Sequence, residues 1–256
     1  MDYIDEAYRQ GFEVIGMSDH GPIPAEFVNY DFDIKDDYIA GQMTYDIFEK
    51  EYLRDINAAK NKYEGKMKVL KGVEIEYFLG HDDYYKKLKN HLDYMVLGQH
   101  YTMLNGKCLD AYYHINYQNV LHYSENVVKG IESKFFEILA HPDVFMYHYI
   151  SENNKLRDFD TNAIKAARAI IEACIKNNVI LEFNLGGIHK GLRITENCEK
   201  DHLYTTLAFW KLVSEYKDAR VIIGCDAHSK EFLSTSEIIK AKQILDNFGI
   251  NYINKI

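Results

Sequence analysis

The chain has 256 residues, 47% of them hydrophobic, and a formal net charge of −9 from 39 acidic and 30 basic side chains. That length suits one α/β domain or two small ones, with ample material for a core. Net acidity offers no general field for nucleic acid, so any bound phosphate must be held locally by metal ions or single basic residues. Cys108, Cys174, Cys198 and Cys225 lie far apart with no Cys-x-x-Cys pair, which implies no disulfide framework and fits a reduced, cytoplasmic setting. The opening MDYIDEAYRQGF is charged and amphipathic, unlike a signal peptide. No apolar run approaches the ~20 residues that span a bilayer, so no membrane role is expected.

In chain order, an amphipathic stretch over 2–10 predicts a helix that stops near Gly11, and EVIGMS (13–18) predicts a strand. A helix is expected over 44–63, then the strand MKVLKGVEIEY (67–77), a helix at 82–90 and the strand DYMVLGQ (93–99). A helix over 116–130, FFEILA (135–140), a helix over 160–177 and VILEFN (179–184) follow. The last predicted elements are a helix at 201–216, RVIIGC (220–225), a helix at 235–248 ahead of Gly249, and a short INYI (250–253). Strands that alternate with helices and are apolar on both faces predict a parallel sheet. No Gly/Ser/Pro-rich linker divides the chain, so a single domain over 1–256 is expected. The longer connections, 20–43, 100–115, 142–159 and 185–200, all follow strands, where α/β barrels carry their sites.

Polar residues stand at the strand ends: Ser18-Asp19-His20, Glu74 and Glu76, Gln99-His100, His141-Pro142-Asp143, Glu182 and Asn184, and Asp226-Ala227-His228. One such histidine alone is more often a hydrogen-bonded loop residue than a ligand. His81, His91, His114, His122, His148 and His202 take that plain reading. Asp226 and His228 are two apart, so in an extended segment both face one pocket. Recurrence at the same end of successive strands is stronger than any single pair. Imidazole and carboxylate without thiolate suit zinc, manganese or iron, while Cys225 should point away from Asp226 into the core.

Taken together, SDHGPIP, GVEIEYF, LGQHY, LAHPD, EFNLGG and IGCDAHS, in this order along nearly the whole chain, resemble the PHP (polymerase and histidinol phosphatase) superfamily, in its histidinol-phosphatase branch. The resemblance implies an α/β fold of the distorted (β/α)7 barrel type, and two to three divalent metal ions. It implies Glu74 bridging two ions, Asp226 completing one, His100 and His141 the second, and His20 and His228 binding the third. Asp19 and Glu76 would stand behind these ligands, Glu76 with a solvated loop position as its alternative, and Glu182 and Asn184 would face the pocket. The implied reaction is metal-dependent phosphomonoester hydrolysis, with histidinol phosphate as substrate and a place in histidine biosynthesis.

Proteins of this type open with a strand carrying His-x-His, and this chain begins at what should be the helix after it. The expected barrel therefore lacks its first strand here. The chain starting upstream of Met1, replacement of the strand by INYI or a partner chain, and loss of activity are the three accounts; the intact remaining motifs favour the first. For the phosphate, Arg193, Lys190 and His189 in the loop after the fifth strand are the candidate contacts, with solvated loop cations as the plain alternative. Gln42 stands where this branch carries an arginine before Met43. Alternative functions are action on another phosphomonoester or nucleotide, and metal binding without catalysis. The partner expected is a small-molecule phosphomonoester, with no nucleic acid and no membrane.

Overall fold

The computed structural model describes residues 2–24 and 43–256. Helix α1 (Asp2–Arg9) buries Ile4 and Ala7 and ends at Gly11, whose φ of 82° suits the left-handed turn that glycine takes without penalty. Strand β1 (Val14–Met17) follows. The next helical stretch is interrupted: α2 (Tyr45–Ile47) and α3 (Leu53–Lys62) flank a π-helical turn, Phe48–Tyr52, that buries Phe48 and Tyr52. Then come β2 (Lys68–Lys71), β3 (Glu74–Ile75), α4 (Asp82–Lys89) and β4 (Val96–Leu97).

The connection after β4, expected to be loop, holds an antiparallel hairpin of β5 (Tyr101–Leu104) and β6 (Lys107–Asp110), before α5 (Val120–Glu132) and β7 (Ile138–Leu139). Helix α6 (Thr161–Asn177) leads to β8 (Ile180–Asn184). The next connection, expected to be loop over 185–200, contains the short helix α7 (Leu185–His189) and β9 (Leu192–Ile194), which forms a second hairpin with β10 (Lys200–His202), where the helix over 201–216 was expected to begin. Helix α8 (Leu207–Val213), shorter than its predicted 201–216, β11 (Val221–Gly224), α9 (Thr235–Asn247) and β12 (Tyr252–Ile253) complete the order.

Six strands form a parallel sheet in the order β12-β11-β8-β7-β4-β3, and β1 pairs in parallel with β2. The β1 ladder continues upward, since Glu74 N donates to Asp19 O and Gly21 N donates to Glu74 O. Neighbouring strands thus follow chain order throughout. Each strand sends alternate residues to opposite faces. Leu97, Leu139, Leu181 and Val221 join the large core cluster with the helices. Their neighbours Val96, Ile138 and Ile180 join Leu70, Tyr94 and Ala140 in a smaller apolar layer on the other face, with Val14, Ile222 and Ile253 packed against it.

The edge strands β1 and β12 both border a cavity of about 880 Å³, which α1 and α9 also line. Gln10, just past α1, spans that side: its Nε2 donates to Leu233 O, and its Oε1 accepts from Thr235 N at the start of α9. No described helix is long and apolar enough to cross a membrane.

Candidate metal centre

The face that carries the smaller apolar layer also carries the polar strand ends. Glu74 opens β3 on that face, and Gly98, just past β4, makes room for it: a Cβ at Gly98 would stand 2.1 Å from Glu74 Oε1. The same notch recurs three strands along the sheet, between β8 and β11, where a Cβ at Gly224 would stand 1.7 Å from Glu182 Oε1. His141 breaks the alternation. By parity with Ala140 it would point toward the helices, but its backbone is left-handed, φ 27°, and its ring turns in to the carboxylate. Asp226 has the same kind of backbone, φ 43°. For non-glycine residues this conformation is uncommon and costs energy, and it clusters at functional sites.

The result is a convergent triad. Glu74 Oε1 lies 2.8 Å from His141 Nε2 and 3.3 Å from His100 Nε2, and the two Nε2 atoms are 3.1 Å apart. A tetrahedral ion with bonds of ~2.0–2.1 Å holds its donor atoms roughly 3.3–3.4 Å apart. The triad therefore needs only a few tenths of an ångström of expansion to fit such an ion. His100 Nδ1 lies 2.9 Å from Glu76 Oε1, which fixes the ring with Nε2 toward the centre, as a carboxylate behind a ligating histidine does. Glu76 is 2% exposed, so it is a buried support and not a solvated loop carboxylate.

Electrostatics agree with the geometry. Burial opposes charge on Glu74, yet the hydrogen bonds and charges of His100 and His141 hold its carboxyl well below the usual range. Burial likewise disfavours a charged His100, but Glu74 and Glu76 outweigh it and raise the imidazole. Glu182 is pushed up to about 7, first by burial and then by the Asp226 and Glu74 charges. Its Oε2 accepts from Asn184 Nδ2 at 2.8 Å and from His141 N at 3.3 Å, while Asn184 Oδ1 accepts from Gly187 N and caps α7.

Asp226 and His228 stand beside the triad. Asp226 Oδ1 is 3.3 Å from His228 Nδ1, and His228 is largely exposed. The His20 ring lies 5.2 Å from that of His100 and 6.4 Å from that of His228, between the two groups. The 880 Å³ cavity opens on Glu74, Glu182, Asp226, His20 and His228. Cys225 packs against the large core and burial pushes its thiol up to about 12.

The expected phosphate contacts separate. Arg193 is 2% exposed, and its guanidinium donates to the main-chain carbonyls of Met146 and Arg157. His189 stacks on Phe232 at 4.8 Å and lies 3.7 Å from a Glu237 oxygen, toward α9. Lys190 stays at the centre, its Nζ 4.7 Å over the Tyr112 ring and 5.3 Å over the Tyr204 ring. Desolvation lowers its pKa, opposed by the charges of Asp226, Glu74 and Asp110. Gln42 lies outside the described residues.

Sequence reasoning did not single out Tyr112 or Tyr204, which lie just past β6 and β10, strands of the two hairpins that it did not predict. It placed Asp143 among the strand-end polar residues, and the structure gives it another job. Fully buried, Asp143 accepts from Thr205 N, Thr206 N and Thr206 Oγ1, which pins the segment carrying Tyr204; burial pushes its carboxyl up to about 6 in spite of those bonds.

The sequence profile of the PHP domain matches residues 1–185. The chain belongs to that family. A curated relative, the histidinol-phosphatase of Bacillus subtilis (strain 168), is 22% identical over 249 residues, spanning 88% of this chain and 85% of the relative. Among solved structures, a Listeria monocytogenes protein assigned as the histidinol phosphatase HisK superposes with a TM-score of 0.72 at 17% identity, covering 93% of this chain and 92% of that one. The Lactococcus lactis histidinol phosphate phosphatase, solved with zinc, L-histidinol and phosphate, gives 0.69 at 15% identity, covering 98% and 88%. These likenesses show a shared α/β fold, and the triad lies on PHP motifs within the matched span.

Proposed function

We propose that this PHP protein is a metal-dependent phosphomonoesterase whose substrate is histidinol phosphate. The reading rests on the buried convergence of Glu74, His100 and His141, with Glu76 orienting His100 from behind. Its support in the substrate question is the company of histidinol phosphatases among the relatives. The parallel order β3-β4-β7-β8-β11-β12, with β1 beside β2, supports a barrel of the PHP type. We read residues 1–256 as one such domain.

In this reading Glu74, His100 and His141 hold one divalent ion, and Asp226, His228 and His20 hold one or two more around the shared Glu74. Such ions polarise phosphoryl oxygens and lower the pKa of water. The protein's own residues do the rest. Glu76 keeps the His100 proton on Nδ1, leaving Nε2 as donor to the ion. Lys190 offers its ammonium to a phosphate oxygen beside the carboxylates. Arg193 serves by holding Met146 and Arg157, and so the loop after β7, in place.

A second reading, another phosphomonoester as substrate, draws on the same observation: with Arg193 committed to main-chain carbonyls, Lys190 is the loop cation of the three left facing the centre. The test is phosphate release by metal-stripped protein reloaded with zinc or manganese, from histidinol phosphate and a panel of phosphomonoesters and nucleotides. Release from histidinol phosphate well above the panel supports the first reading, and preference for another ester the second. No release from any substrate by the metal-loaded protein would falsify both.

A further inference from the structure

The residues around Lys190 carry an inference that rests on the phosphomonoesterase reading and extends it. Lys190 keeps exposed surface although its ammonium is partly desolvated, and among the described residues no carboxylate lies within 4.0 Å of that ammonium. Two aromatic faces hold it instead. Tyr112 and Tyr204 stand edge to face, centroids 5.9 Å apart at 75°, with the ammonium over both. Each ring also touches one imidazole of the triad: Tyr112 stacks parallel to His100 at 5.9 Å and 9°, and Tyr204 meets His141 at 6.0 Å and 82°. The pair thus ties the lysine to the metal centre through rings alone.

We propose that Tyr112 and Tyr204 form a cradle that positions the Lys190 ammonium as the protein's own phosphate-binding cation. A ring face attracts an ammonium without consuming its hydrogen-bond donors. A carboxylate partner would take up those donors and neutralise the charge. Lys190 therefore keeps three N–H groups for an incoming anion, at a place the rings choose. A free lysine would lose rotamer freedom on binding phosphate, and the cradle removes part of that cost beforehand. Tyr112 is itself fixed from below by the Asp110 side chain, which accepts from Tyr112 N at 2.6 Å, and Tyr204 by the Asp143 pin. Both rings are therefore set before substrate arrives.

The test is titration of inorganic phosphate into the zinc-loaded protein, alongside KM and kcat for its best phosphomonoester. Each of Tyr112→Leu and Tyr204→Leu should weaken phosphate binding and raise KM about two- to fivefold, with kcat little changed. Tyr112→Phe and Tyr204→Phe keep the ring face and should stay near wild type. A merely structural tyrosine would not produce the decisive result, which is non-additivity. Once Lys190→Met has removed the ammonium, either Leu substitution should add nothing further to the loss of phosphate affinity. Zinc content, measured for every variant, separates this effect from damage to His100 or His141. Additive losses, or Leu variants that bind phosphate like wild type, overturn the cradle while leaving the phosphomonoesterase reading intact. Zinc-loaded wild type that neither binds phosphate nor hydrolyses any ester overturns that reading, and the cradle with it.

Discussion

At the scale of single residues, the centre depends on a side chain that is not there. Gly98 has no chemistry, yet Glu74 occupies the space its Cβ would fill. Gly98→Ala is expected to push the carboxylate off the His100–His141 axis and lower zinc affinity at least tenfold, while overpacking costs about 1–3 kcal/mol of stability. Chelator competition and denaturant unfolding measure the two effects; unchanged zinc affinity would contradict the notch. The raised His100 imidazole carries a pH prediction. A zinc ion entering the triad must displace its proton, so affinity should climb with pH, by about one proton per ion, until the raised pKa is passed. The sign for the metal-free fold is opposite. A raised imidazole contributes stability that is full below its ordinary ~6.5 and lost as pH rises through the raised value. Zinc titrations at a series of pH values, followed by proton release, check the first statement. A flat profile would mean that no proton occupies the triad.

At the scale of elements, the strands and most helices were legible because their signal is local. Short β-branched runs, apolar on both faces, mark β1, β8 and β11, and Asp160 marks the start of α6 by accepting from Asn162 N and Ala163 N. Asp160 also accepts from Arg157 Nε at 2.6 Å and Tyr149 OH at 2.9 Å, so one carboxylate closes the helix and anchors the segment before it. Asp160→Ala should cost about 1–3 kcal/mol in chemical denaturation, beyond a bare cap, and leave the triad's zinc affinity intact. The hairpins β5–β6 and β9–β10 were not legible. Their sequences, YTML–KCLD and LRI–KDH, alternate too weakly over three or four residues to stand out from loop. The second hairpin also explains Arg193: in β9 it points inward between the exposed Leu192 and Ile194, and so reaches main-chain carbonyls where loop reasoning placed it at the mouth.

At the scale of the whole molecule, the candidate ligands from β3 and the ends of β4 and β7 meet in one place only when the sheet is assembled, with Asp226 and His228 after β11 beside them. Spacing along the chain announced the residues, but not which of them converge. Glu74, His100 and His141 do so through the left-handed turn at His141, which no residue type announces in advance. Metal binding should therefore be coupled to global stability. Zinc at about 100 times its dissociation constant should add about 2.7 kcal/mol and raise the melting temperature by roughly 5–10 °C over chelator-treated protein. Equal melting with and without metal would show that the triad does not hold an ion in the native state.

The Gln10 bridge between α1 and the start of α9 bears on how the protein behaves among its neighbours. Unpaired strand edges are templates on which other chains can add, the usual beginning of aggregation in sheet proteins. Here β1 and β12 turn toward one shared cavity, and α1 and α9 stand over it with Gln10 as the latch. In a crowded solution, with Gly16 of β1 exposed and both residues of β12 half-buried beside that cavity, this is where a further strand would most readily add.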